Sequence, residues 1–311
     1  MPVKSLAAGL FVHDLYGIAG KEKSMKLIRF GEQQKERPGI ITKDGTMYDV
    51  SSFGEDYNEN FFGTDGLSRL GQWLKTKMSG LPHINDSVRL GPPVCRPSKI
   101  VCIGLNFRDH AEEIGLDIPS EPVLFLKSPS ALAGPYDNLV LPRNSVHTDW
   151  EVELALVMAK KTAYIDEQNA FDHIAGFILF NDYSERDYQF NRGGQWVKGK
   201  SADTFASLGP FLVTPDEISD YQNLNMWLKV NNIVKQNGTT ANMVFDIPKI
   251  ISMISQYMTL LPGDIISTGT PPGVGYRKTP AEYLKKGDLV EYGIEGLGEA
   301  AQRVVAWDDA R

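Results

Sequence analysis

Cysteine is scarce: Cys95 and Cys102 are the only two in 311 residues. Two are too few for a disulfide scaffold and fit a reduced, cytosolic protein. Positive charge is also short. The formal net charge is −7, and no Lys/Arg cluster overrides it, which argues against a nucleic-acid partner. No apolar run approaches the ~20 residues needed to cross a bilayer, so no membrane partner is expected. The chain has no P-loop, no G-x-S-x-G elbow, no G-x-G-x-x-G fingerprint and no Cys/His zinc spacing. Internal repeats, low-complexity tracts and βαβ alternation are missing too.

What is present suits a globular protein with a sizeable core, at 42% hydrophobic and 23% charged residues. Residues 1–24 carry His13 and Asp14 within a mildly apolar stretch and make a poor secretory signal. They read as an extension, with a short anchoring helix as the alternative, before the strand-like "MKLIRFG" that opens at Met25. Residues 25–90 read as a small N-terminal domain. "KDG" is a hairpin signal there, and Leu67, Leu70, Trp73 and Leu74 show helical spacing. The Pro-rich "RLGPPVCRPSK" reads as a linker, with residues 91–311 as a second, strand-heavy domain. The expected class is α+β with a dominant, barrel-like sheet.

The stretch "TDWEVELALV" at 148–157 looks like a strand, yet Asp149, Glu151 and Glu153 recur at every second position. Alternation puts the three carboxylates on one face. Alone, such a face is ordinarily just solvated. Two carboxylates aimed at one point otherwise require a positive charge, and a hard cation such as Mg²⁺ takes oxygen ligands. Asp182, ending the apolar run "FILFND", qualifies as a third. In "FRDHAEEIG", His110 and Glu113 share a helix face, the arrangement of a base backed by a carboxylate. Lys198 and Lys200 lie in a Gly-containing strand or loop and offer oxyanion stabilisation. Arg186 and Gln189 stand one helical turn apart. "DIISTGTPPGVG" runs a strand into a Gly/Pro loop bearing Thr268 and Thr270.

Together, "NFRDHAEE", "EPVLFLKSPSA", "EVELALVM", "NDYSERDYQ", "KGKSADTF", "WLKVNN", "DIISTGTPPGVG" and "GIEGLGE" occur in the order found in the fumarylacetoacetate hydrolase family. The resemblance spans roughly residues 99–305. It implies a β-rich barrel or roll as the catalytic domain, usually a cytoplasmic homodimer, with a Mg²⁺ (or Mn²⁺) site. By position it implies metal ligands at Glu151, Glu153 and Asp182, and a mobile His110–Glu113 pair on a lid. It places the active-site lysine at Lys200, and Arg186, Gln189 and Thr270 against the substrate's oxygens. Asp149 reads as a supporting or solvated carboxylate. The implied chemistry is hydrolysis of a C–C bond in a 2,4-diketo acid. "TDWEVEL" and "MTLLPGDIISTGTPPGVG" look most like members acting on 2,4-diketo-3-deoxy-L-fuconate or a related sugar acid. Ureidoglycolate lyase, acylpyruvate hydrolase and oxaloacetate decarboxylase are the alternatives, with a non-catalytic metal-binding protein disfavoured by the intact base dyad. Asn191, Arg192 and Gln195 are candidates for reading the sugar hydroxyls.

Overall fold

The computed structural model describes residues 25–115 and 117–310; the expected N-terminal extension lies outside them. Strands β1 (Lys26–Phe30), β2 (Arg37–Ile41) and β3 (Met47–Asp49) open the chain. The "KDG" turn joins β2 to β3 as expected, with Ile41 opposite Met47 and Gly45 at φ 86°. Helix α1 (Gly66–Lys77) buries Leu70 and Leu74. Strand β4 (Ile100–Gly104) leads into α2 (Arg108–Ile114), which stops at Gly115 in the left-handed conformation that glycine tolerates. Next come β5 (Val123–Lys127), β6 (Val152–Met158) and β7 (Ile174–Asp182).

Two short helices follow, α3 (Arg186–Phe190) and α4 (Val197–Lys200). The second corrects the reading of "KGKS" as strand or loop: Gly199 packs against the α3 backbone, so close that a Cβ there would lie 2.5 Å from the Glu185 carbonyl. Strand β8 (Leu212–Val213), the hairpin of β9 (Asn225–Val230) and β10 (Ile233–Thr239), and helix α5 (Ile247–Tyr257) continue the chain. In α5 the Asp246 side chain caps the N-terminus, and Ile247, Ile250, Ile251 and Ile254 are all buried. Each such side chain contributes about 1.5–3 kcal/mol on burial. Strands β11 (Ile265–Ser267), β12 (Leu289–Ile294) and β13 (Gly298–Ala306) complete the set.

A twelve-stranded sheet runs β3-β2-β1-β8-β7-β6-β11-β4-β5, with further short strands off this path. The N-terminal strands therefore join it through β1 and β8, Leu27 facing Leu212. A five-stranded sheet of β10, β9, β12, β13 and Leu139–Leu141 packs beside it. The architecture is α+β and β-dominated. Among the described residues no helix is long and apolar enough to cross a membrane.

Strand β6 is buried along its whole length, between β7 and β11, which is why its apolar residues occupy both faces. The expected single strand from 148 to 157 is broken. Thr148–Asp149 forms its own short pair with Ser184–Glu185, and Trp150 and Glu151 lie between the two pieces. The break follows from buried anchors: Trp150 is 1% exposed and donates its indole N–H to the Gly273 carbonyl at 3.1 Å.

Candidate active site and metal centre

The start of β6, the end of β7 and the end of β11 meet at one end of the sheet. Antiparallel pairing sets Val152 opposite Asn181, so Glu153 and Asp182 arrive from opposite directions. Glu151 is fixed by its own backbone: its N–H donates to Asn181 Oδ1 at 3.1 Å, and its carbonyl accepts from the Asp182 N–H at 2.8 Å. Glu151, Glu153 and Asp182 each offer a carboxylate oxygen, and these lie within 4.8 Å of one another, all buried.

Cations surround two of the three. Lys200 Nζ bridges Glu151 at 2.8 Å and Asp182 at 2.6 Å. Arg186 reaches Glu151 at 2.6 Å. Lys127, fully buried at the end of β5, pairs with the other oxygen of Asp182 and donates to the Tyr183 carbonyl at 3.0 Å. Burial would raise Glu151, but Arg186 and Lys200 outweigh it and hold its carboxyl well below the usual range. Burial likewise opposes the Lys200 ammonium, yet Asp182 and Glu151 keep it above its ordinary value. Lys127 is lowered, first by burial and then by Lys200, against the pull of Asp182.

Glu153 is different. It accepts from Ser267 Oγ and from the Gly269 N–H at 3.0 Å, and forms no ion pair among the described residues. Its carboxyl is pushed well up, by burial first and then by the charges of Asp182 and Glu151. A carboxylate trio with one uncompensated member has the chemistry of a hard-cation site. Oxygen ligands of one Mg²⁺ lie at most about 4.2 Å apart, so the observed 4.8 Å spread closes with a small shift. The donor set fits a divalent ion.

Glu151 and Glu153 open onto a cavity of about 200 Å³, lined also by His110, Phe125, Arg186, Gln189, Lys200 and Thr270, with Asp182 buried behind them. His110 Nδ1 lies 3.0 Å from Glu113 Oε2, and Glu113 also accepts from the Gly273 N–H at 3.1 Å. That bond docks α2 onto the "TPPGVG" loop. Arg186 is held by Asp149 and Glu151, and donates to Gln189 Oε1 at 2.9 Å. Thr270 donates to the Val152 carbonyl at 2.9 Å and accepts from Gln236 Nε2 at 2.8 Å. A cavity of about 620 Å³ between Phe62, Lys160, Asp172 and Asp216 is larger, but gathers no base beside a carboxylate trio. The smaller one brings His110 together with Glu151, Glu153 and Lys200.

Asp149 is not solvated. It is 0% exposed and accepts from Arg186, the Gly275 N–H at 2.7 Å and the Tyr276 N–H at 2.9 Å. Lys127, Gln236 and Ser267 escaped the sequence reading, as did Tyr276 and Arg277 in the cavity wall. Lys127 left a signal, a lysine closing the apolar run "PVLFLK". Asn191 and Arg192 bond to Asp187 instead, and the cavity wall beside them is Phe190 and Trp196.

The profile of the C-terminal domain of fumarylacetoacetate (FAA) hydrolase matches residues 99–305. The chain belongs to the fumarylacetoacetate hydrolase family. It is 46% identical to 2,4-didehydro-3-deoxy-L-rhamnonate hydrolase of a Sphingomonas species, over 91% of this chain and 97% of that one. Among solved structures it resembles fumarylacetoacetate hydrolase from Exiguobacterium antarcticum at TM-score 0.80 and 32% identity, covering 91% of this chain and 100% of the other. Maleylpyruvate hydrolase from a Sphingobium species, solved with manganese(II) and pyruvate, matches at TM-score 0.76 and 30% identity, over 91% and 99% of the two chains. Membership makes the protein a hydrolase acting on C–C bonds in ketonic substances.

Proposed function

We propose that the protein hydrolyses the C3–C4 bond of a 2,4-diketo-3-deoxy sugar acid of the fuconate or rhamnonate type, giving pyruvate and a hydroxy acid. One observation carries this reading: His110, paired with Glu113, lines the same small cavity as Glu151, Glu153 and Lys200. A divalent ion, Mg²⁺ or Mn²⁺, held by Glu151, Glu153 and Asp182 would supply Lewis acidity at the 2-oxo acid end. Glu113 accepts from Nδ1 of His110, which leaves Nε2 free to take a proton from water. The water oxygen bonds to C4, the C3–C4 bond breaks, and its electron pair passes into a pyruvate enolate. The Lys200 ammonium stabilises the negative charge that develops. The proton held by His110 returns to C3 and completes pyruvate.

Gln189 supports substrate binding, because Arg186 occupies its amide oxygen and leaves its NH₂ to donate. The cavity is smaller than the roughly 300–1,000 Å³ usual for drug-sized ligands and suits a compact acid. Decarboxylation of oxaloacetate needs no activated water, so the base dyad favours hydrolysis. A cytoplasmic homodimer belongs to the same reading. The test is pyruvate release from 2,4-diketo-3-deoxy-L-fuconate, acetylpyruvate, oxaloacetate and ureidoglycolate, with EDTA and with Mg²⁺ or Mn²⁺ restored. The highest kcat/KM is expected for the sugar acid, and only with metal. A higher value for acetylpyruvate would make the enzyme a general acylpyruvase, and turnover of ureidoglycolate alone would refute C–C hydrolysis.

A further inference from the structure

The cations around the cavity are nearly all committed. Arg186 has Asp149 and Glu151, Lys200 has Glu151 and Asp182, and Lys127 has Asp182. Lys278, just outside, lies 3.5 Å from Glu282. Arg277 is the exception. It lines the cavity and forms no ion pair among the described residues.

The residue is exposed, but its side chain rests on an aromatic neighbour. The guanidinium lies over the Tyr276 ring, 4.8 Å from the centroid, a stacking arrangement that leaves its N–H groups free to donate. The Tyr276 ring in turn packs 5.2 Å from Phe190. The backbone beneath is tied to buried Asp149 through Gly275 and Tyr276, and the Arg277 N–H donates to the Val274 carbonyl at 3.3 Å. Arg277 is thus an exposed, uncommitted donor on an anchored backbone at the mouth of the site.

In the reading above, the 2-oxo acid end of the substrate lies against the carboxylate trio. Its acyl end then meets Phe125, Phe190, Trp196, Tyr276 and Arg277. Aromatic rings suit an alkyl terminus, and one guanidinium among them suits one oxygen. That combination matches an acyl group with a hydroxyl beside a methyl.

We propose that Arg277 is a specificity-determining residue that hydrogen-bonds the hydroxyl on the carbon next to the cleaved C4 carbonyl; this rests on the hydrolase reading above. A hydrogen bond to a charged donor corresponds to about 10- to 100-fold in discrimination.

The experiment compares kcat/KM for 5-hydroxy-2,4-dioxohexanoate and for 2,4-dioxohexanoate, which lacks only the hydroxyl. Wild type, Arg277→Met and Arg277→Lys are assayed with metal. The ratio of the two values should fall about 10- to 100-fold in Arg277→Met and recover in part in Arg277→Lys. An unchanged ratio, with both substrates losing equally or not at all, overturns the proposal, because Arg277 would then only steer anions or do nothing. Failure of the wild type to release pyruvate from any of these is a distinct result. It refutes the hydrolase reading and takes the role of Arg277 with it.

Discussion

Asp149 and Arg186 are joined at Oδ2 by two guanidinium N–H groups, Nε at 2.9 Å and Nη2 at 2.8 Å, with Asp149 wholly buried. The same carboxylate takes the backbone N–H groups of Gly275 and Tyr276. One acid therefore sets both the arginine beside Glu151 and the loop that carries Tyr276 and Arg277. Asp149→Asn keeps the shape but removes the charge. Breaking one partner of a buried ion pair costs about 3–5 kcal/mol, so urea denaturation should show a loss of this order. A fall of at least about tenfold in kcat/KM should accompany it, since 1.4 kcal/mol of lost positioning already amounts to that. Stability within 0.5 kcal/mol of wild type, a change of about the size expected at ordinary surface sites, would show that Arg186 is held by Glu151 alone.

Glu153 gives the cleanest test of the metal site, because no cation pairs with it among the described residues. In Glu153→Gln the amide oxygen can still accept from Ser267 and Gly269, while the repulsion with Glu151 and Asp182 disappears. The metal-free variant should melt at or above the wild-type temperature. Saturating Mn²⁺ should stabilise wild type, by about 2.7 kcal/mol at a hundred times Kd, and leave the variant unmoved. Activity should vanish. A metal-induced rise in melting temperature equal to that of wild type would remove Glu153 from the ligand set.

The carboxylate cluster was legible in part: alternation suggests one face for Glu151 and Glu153, and the structure brings these two and Asp182 within 4.8 Å of one another. The break at Trp150 and Glu151 was not legible, since it depends on Asp149 finding Arg186 and on Trp150 finding Gly273, contacts set by tertiary structure. Helix α5 was readable from its isoleucine spacing and its Asp246 cap. Helix α4 was not, because one turn carries no periodicity and Gly199 argues against helix on propensity. Lys127 escaped for a related reason. A lone lysine at a strand end is normally solvated, and only the arrival of Asp182 from β7, 55 positions away, turns it into a buried partner. Gln236 likewise looks like any polar strand residue until Val152 and Thr270 close on it.

The last prediction separates hydrolysis from decarboxylation through His110. His110 is 8% exposed, and its ring is fixed on one side by Glu113, which the Gly273 N–H holds in turn. His110 lines the cavity, and the proposed reaction needs its other ring nitrogen to remove a proton from water. A positioned base typically contributes about 10²–10⁴ in rate, so His110→Ala should lower kcat for the diketo acid by that factor. Glu113→Gln should fall less, because its amide oxygen can still orient Nδ1 without adding charge. Oxaloacetate loses CO₂ with no water to activate, and any decarboxylation by the wild type should drop by less than about tenfold in His110→Ala, well short of a base's usual share. Pyruvate formation from both substrates, measured under saturating metal, checks the division. Equal losses in the two reactions would mean that His110 serves the shared enolate chemistry or the shape of the site, and the water-activating role would fall.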